Sequence, residues 1–252
     1  MISINDYDTG FKMHSTMIAK LRSKCMILID QLNSVPIFLV KEETMDNHSS
    51  TMCLRRDCIK EFLMTYEREI KTREYVRTED AKETVKRMEH CLGKCNAVGC
   101  YIQDPDDISD KPHILICPER INHRNKNQFQ DLLLEIMIHE LTHAYFSSGS
   151  NLNDLSKHII EESLCEAYAF SKFENTEQLF EFITDPKRPP EYTAFKFWTE
   201  ISRNVPLILL MNDWKNKNYD SFPFGIFPFP YERFFRHFRS LEQIALLVLS
   251  FS

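Results

Sequence analysis

The sequence predicts a helix-rich α+β chain with one small antiparallel or mixed sheet, and three observations carry that expectation. Residues 97–102 and 113–117 are two β-rich runs on either side of a turn-rich stretch at 104–107, the pattern of a hairpin or of neighbouring strands. Residues 127–146 are apolar on nearly every side, as a buried central helix would be. Hydrophobic residues at 43% and charged residues at 27% supply a core and argue against a mostly disordered chain, and 252 residues suit a single domain.

Taken in order, residues 9–32 place Phe11, Met17, Ile18, Leu21, Ile27 and Leu28 at helical spacing, and 35–40 then read as a short strand. A charged run over 54–94, broken near 72–79, reads as a solvated helical pair. After the two β-rich runs and the apolar helix, Ser147, Ser148, Gly149 and Ser150 stop that helix, and Asn153 or Asp154 can cap a following one that runs to about Lys172. The remaining residues to 252 read as helices interrupted by Pro186, Pro189, Pro190 and Pro206, with an aromatic and proline-rich loop over 222–231. The chain thus divides into an N-terminal helical region (1–96), a core (97–172) and a C-terminal helical, aromatic-rich region (173–252), all within one domain.

A net charge of −6 offers no bulk attraction to phosphate backbones, so no nucleic-acid partner is implied. The N-terminus lacks the basic-then-apolar pattern of a secretory signal, and no apolar run approaches the about 20 residues that span a bilayer. A cytoplasmic protein without a membrane partner is expected. Its eight cysteines then read as reduced thiols, since Cys53, Cys58, Cys91, Cys95 and Cys100 lack paired CxxC spacing. With five glycines and no Walker or GxGxxG pattern, a glycine-loop nucleotide binder is disfavoured.

The chemistry lies within the apolar helix, as His139-Glu140-Leu141-Thr142-His143. Histidines four residues apart project from one helical face toward a common point, which suits one tetrahedral Zn²⁺ per chain. Glu140, about 100° round the helix from His139, falls beside a metal-bound water and is the candidate general base. Three ionisable side chains in an apolar helix would each carry a burial cost of several kcal/mol unless paired or metal-bound. A third ligand is sought on the next helix, where Glu162 stands 19 positions after His143.

An HExxH helix followed at this distance by a glutamate on the next helix resembles the gluzincin metallopeptidases. The resemblance covers roughly residues 97–172 and makes them a zincin-like core. It implies His139, His143 and Glu162 as zinc ligands, Glu140 as base, and Glu166, one turn after Glu162, as hydrogen-bond acceptor for a ligating histidine. It also implies that the strand at 114–117 is the edge strand that takes up substrate backbone, and that the substrate is a peptide or protein. Phe146 and Gly149 do not meet the metzincin requirement for Gly and His after the second histidine. His158 shares the stripe of Glu162, which leaves a three-histidine site like that of SprT-type proteases as an alternative, and Glu161 is one position away. Candidate oxyanion donors are Tyr231 and His237, with Tyr192 and Tyr219. Seven phenylalanines between 222 and 238 pack on the core or receive a protein partner. Two further readings keep the motif but change the function: a non-catalytic zincin fold in which zinc is structural, and hydrolysis of a non-peptide amide or ester.

Overall fold

In the computed structural model, which describes residues 2–32, 34–52, 97–121, 126–146, 155–173, 195–203 and 205–216, four short strands form one mixed sheet. They are β1 (Ser3–Asp6), β2 (Pro36–Leu39), β3 (Gly99–Ile102) and β4 (His113–Ile116). The order across the sheet is β1-β2-β4-β3, with β1, β2 and β4 parallel and β3 antiparallel to β4. The α+β expectation holds, and the sheet is mixed.

Alternation along each strand decides what covers each face. Ile37, Leu39, Ile114 and Ile116 point to one side, where they join the main core beneath the helices α1 (Ser15–Lys24), α2 (Met26–Gln31) and α4 (Lys126–Phe146). Leu115, Ile102, Phe38 and Cys100 point to the other side and pack with Val40, Met45 and Cys117 beneath α3 (Glu42–Met52). Because both faces are covered, every residue of β4 is buried.

The 9–32 helical stretch is two helices. Cys25 leaves helical geometry (φ −108°, ψ 13°) while its N–H still bonds the Leu21 carbonyl, which splits α1 from α2. β1 and α3 carry no strong sequence pattern, and both are held by partners distant in sequence. β1 pairs with β2 along its whole length, and Asp8 accepts the Lys41 N–H at 2.7 Å and the Thr44 hydroxyl at 2.6 Å at the start of α3. Arg120 clamps the far side of α3, donating to the Ala97 and Glu42 carbonyls and to the Asp46 carboxylate. Half of the sheet therefore comes from residues 3–39, and the core extends beyond 97–172.

The apolar run forms α4, and Leu132 through Thr142 are buried without interruption. Helix α5 (Leu155–Phe170) packs along α4, and α6 (Phe195–Ile201) and α7 (Leu207–Lys215) close the other side of that pair. Trp198 donates its indole N–H to Ser163 at 2.8 Å, and the Tyr145 hydroxyl bonds the Asn212 carboxamide oxygen, which docks α6 on α5 and α7 on α4. Among the described residues no helix is long and apolar enough to cross a membrane. The charged helical pair expected over 54–94 and the aromatic loop over 222–238 lie outside the described residues.

Candidate metal centre

The four-residue spacing of His139 and His143 brings both rings to the α5 side of α4. Their Nε2 atoms are 3.2 Å apart, and Glu162 Oε2 lies 3.2 Å from His139 Nε2 and 3.5 Å from His143 Nε2. Donors at about 2.0–2.1 Å from a tetrahedral zinc ion stand about 3.3 Å from one another. The three atoms therefore form a triangle of the size that one such ion requires.

The far side of each ring is held as well. His139 Nδ1 stands 2.9 Å from Glu166 Oε2, and His143 Nδ1 stands 2.9 Å from Glu161 Oε1. An ionised carboxylate only accepts, so His143 Nδ1 carries a proton and its Nε2 can turn a lone pair toward the centre, while His139 Nδ1 meets Glu166 as a close ion pair outside hydrogen-bond alignment. Glu161 is fixed in turn by Trp214, whose indole N–H donates to Oε2 at 2.9 Å. Glu161, Glu166 and Trp214 are buried, while His143 and Glu162 each keep 14% of their side chain exposed, so the centre opens to solvent on that side.

Replacing Trp214 by Phe keeps most of the apolar packing and deletes only this N–H. Zinc affinity is expected to weaken about 10- to 100-fold, the usual effect of losing a group that orients a ligating histidine. Competition against a chromogenic chelator checks this, and an unchanged affinity would show that Glu161 needs no such anchor.

Without a metal, protons occupy the centre. Burial opposes a charged imidazole, but the Glu162 and Glu166 carboxylates, which accept from the charged ring, outweigh it and push His139 up to about 10, and His143 is also raised well above its usual value. A raised histidine stabilises the fold fully below its unfolded value of about 6.5 and loses that contribution as pH rises toward about 10. The metal-free protein should therefore melt at progressively lower temperature from pH 6.5 to 10 in chelator. Zinc uptake below pH 10 should release protons, read by titration in two buffers of different ionisation enthalpy.

Glu140 faces the sheet rather than α5. Its carboxylate accepts the backbone N–H of Tyr101, and a Cβ added at Gly99 would fall 2.6 Å from Glu140 Oε1, 2.7 Å from its Cγ and 2.9 Å from Ile136 Cγ2. Gly99 is thus glycine because β3 lies directly against the buried acid. Burial raises the pKa of Glu140, partly offset by the charges of His139 and His143. Tyr101, on the same strand face as Gly99, has its phenol pushed up by burial and lies within electrostatic reach of His143. Cys165 groups with the two histidines, and burial drives its thiol far above the ordinary range.

The strand expected at the edge is not there. β4 is bonded on both sides, to β2 and to β3, so among the described residues the sheet edge beside the centre belongs to β3. The register, with the Cys117 N–H bonded to the Val98 carbonyl at 2.8 Å, places Cys100 and Ile102 in the bonded pairs with β4. The backbone groups of Gly99 and Tyr101 consequently point away from β4, and one of them already reaches Glu140.

The structure brings His139, Glu140, His143, Glu162 and Glu166 together. The backbone of His158 is in α5, and its side chain lies outside the described residues, as do Tyr192, Tyr219, Tyr231 and His237. Sequence reasoning placed Glu161 only as a rival ligand and did not find Trp214 or Gly99. A glycine inside a strand of a glycine-poor chain was a readable sign of close approach, whereas nothing in the sequence linked Trp214 to Glu161. Among the described residues, Cys25, Cys100, Cys117 and Cys165 form no disulfide. Comparison with protein-family models, with curated proteins and with solved structures gave no match to the chain.

Proposed function

We propose that the protein is a zinc-dependent peptidase of gluzincin type, with His139, His143 and Glu162 as ligands and Glu140 as general base. The observation that carries this reading is the donor triangle of 3.2, 3.2 and 3.5 Å, with both outer ring nitrogens facing carboxylates. The donor set, two imidazoles and one carboxylate, is that of hydrolytic zinc sites, which keep a fourth position for water. When bound there, zinc would lower the pKa of that water and polarise the scissile carbonyl.

The chain's own residues supply the rest. Glu140, whose pKa is raised by burial, is a better proton acceptor than an exposed carboxylate and can return the proton to the leaving amine. The Tyr101 N–H and the close wall at Gly99 hold that carboxylate in one place. The edge of β3, unpaired among the described residues, runs beside it and offers backbone groups to an extended peptide by strand addition, which favours a peptide over a small amide or ester. A fluorogenic peptide library tests the reading: cleavage by the zinc-loaded protein, lost with chelator and restored by zinc, is the expected result. No cleavage of any library member by fully zinc-loaded protein would leave the centre as a structural one.

A further inference from the structure

On the opposite face of the sheet two histidines approach one oxygen of Asp106. His113 is completely buried at the start of β4, on the side of Leu115 and in edge contact with the Phe38 ring, and so faces away from α4. Its Nδ1 is 2.9 Å from the Lys111 carbonyl, which can only accept, so Nδ1 carries a proton, and in the neutral ring Nε2 presents a lone pair. That lone pair meets Asp106 Oδ2 at 3.3 Å, and neither buried atom makes a hydrogen bond. Two buried acceptors facing each other need a positive charge between them, supplied by a proton or by a metal ion.

The neighbours are arranged to receive one. Asp106 Oδ1 is occupied by the N–H groups of Ile108 (2.9 Å) and Ser109 (3.0 Å), which turns Oδ2 toward His113. From α3, His48 Nδ1 reaches the same Oδ2 at 3.0 Å, while its Nε2 lies 3.3 Å from Asp107 Oδ1. His48, Asp106 and Asp107 offer ligand atoms within 4.8 Å of one another. In each of the three residues around Oδ2, the atom turned away from the centre has its own partner, the arrangement that orients metal ligands.

We propose that Asp106, His113 and His48 hold a second divalent cation of the zinc class, with Asp107 orienting His48 from the solvent side. Two imidazoles and a carboxylate suit a borderline ion rather than calcium or magnesium. The ion pins α3 to the turn between β3 and β4, and it stands apart from the HExxH centre across the sheet.

The probe is Zn²⁺ itself, with bound metal per chain measured by elemental mass spectrometry after dialysis at one buffered free-zinc concentration. Asp106→Asn keeps the Oδ1 acceptor that shapes the turn and removes the ligand oxygen, and His48→Ala, at a half-buried helix position, is read beside it, with retained helical circular dichroism required of both. Wild type is expected to hold two zinc ions, Asp106→Asn and His48→Ala one each, and His143→Ala one. The zinc-induced rise in melting temperature should shrink in Asp106→Asn. One ion in wild type that is lost in His143→Ala but retained in Asp106→Asn overturns the second site and leaves the first standing. One ion retained in His143→Ala but lost in Asp106→Asn supports the second site and overturns the first. Equal zinc content in wild type, Asp106→Asn and His48→Ala also overturns it, and the cation between the acceptors is then a proton.

Discussion

Glu140→Gln is expected to lower peptide cleavage about 10²- to 10⁴-fold while leaving the zinc content unchanged. Glutamine keeps the shape and the carboxamide oxygen that can still accept the Tyr101 N–H, so the strand and helix should remain in register. It cannot take up a proton at neutral pH. Since Glu140 is not among the three donors that converge between α4 and α5, the metal should stay. The loss should appear in kcat with little change in KM, because binding along β3 does not need an ionised base. A variant that loses its zinc would instead place Glu140 among the ligands, and one that keeps wild-type turnover would remove it from the chemistry.

Gly99→Ala should combine a stability loss with an activity loss, although it introduces only one methyl group. The added Cβ would sit 2.6 to 2.9 Å from two Glu140 atoms and one Ile136 atom, closer than packed atoms approach. Either β3 lifts from α4 or the Glu140 carboxylate is displaced. Overpacking of this kind costs about 1–3 kcal/mol, which lowers the melting temperature of a domain this size by several degrees. Displacing the base by about 1 Å can reduce turnover about 10²-fold, with zinc retained because the donors come from α4 and α5. A Gly99→Ala protein with wild-type melting and turnover would mean that β3 does not press on the base.

Where the sequence was informative, a local period carried the information. The unbroken apolar run of α4 indicates that His139 and Glu140 are buried, and the four-residue spacing gives the shared face, which agrees with their burial and with the approach of His139 to His143. The β3 and β4 runs were legible because hydrophobic β-formers are bounded by turn residues. Non-local pairing was not legible. That β2 lies against β4, which makes β3 the edge, depends on contacts between residues 37–39 and 114–116 that no periodicity encodes. β1 is a mostly polar four-residue strand that exists because β2 is beside it. α3 shows no apolar stripe and is defined instead by Asp8 at one end and Arg120 at its side. The roles of Glu161, Trp214, His48 and His113 fall in the same class, since each depends on a partner brought in by tertiary packing.

The claim on which the functional reading rests is that His139, His143 and Glu162 bind one metal ion together. Its most direct test is the zinc content per chain of wild type beside His143→Ala, Glu162→Ala, His158→Ala and Glu140→Gln, measured by elemental mass spectrometry after zinc loading. One equivalent should disappear in His143→Ala and in Glu162→Ala and remain in His158→Ala and Glu140→Gln. Loss in His158→Ala with retention in Glu162→Ala would move the third ligand to the start of α5. Undiminished zinc in both His143→Ala and Glu162→Ala would contradict the centre altogether.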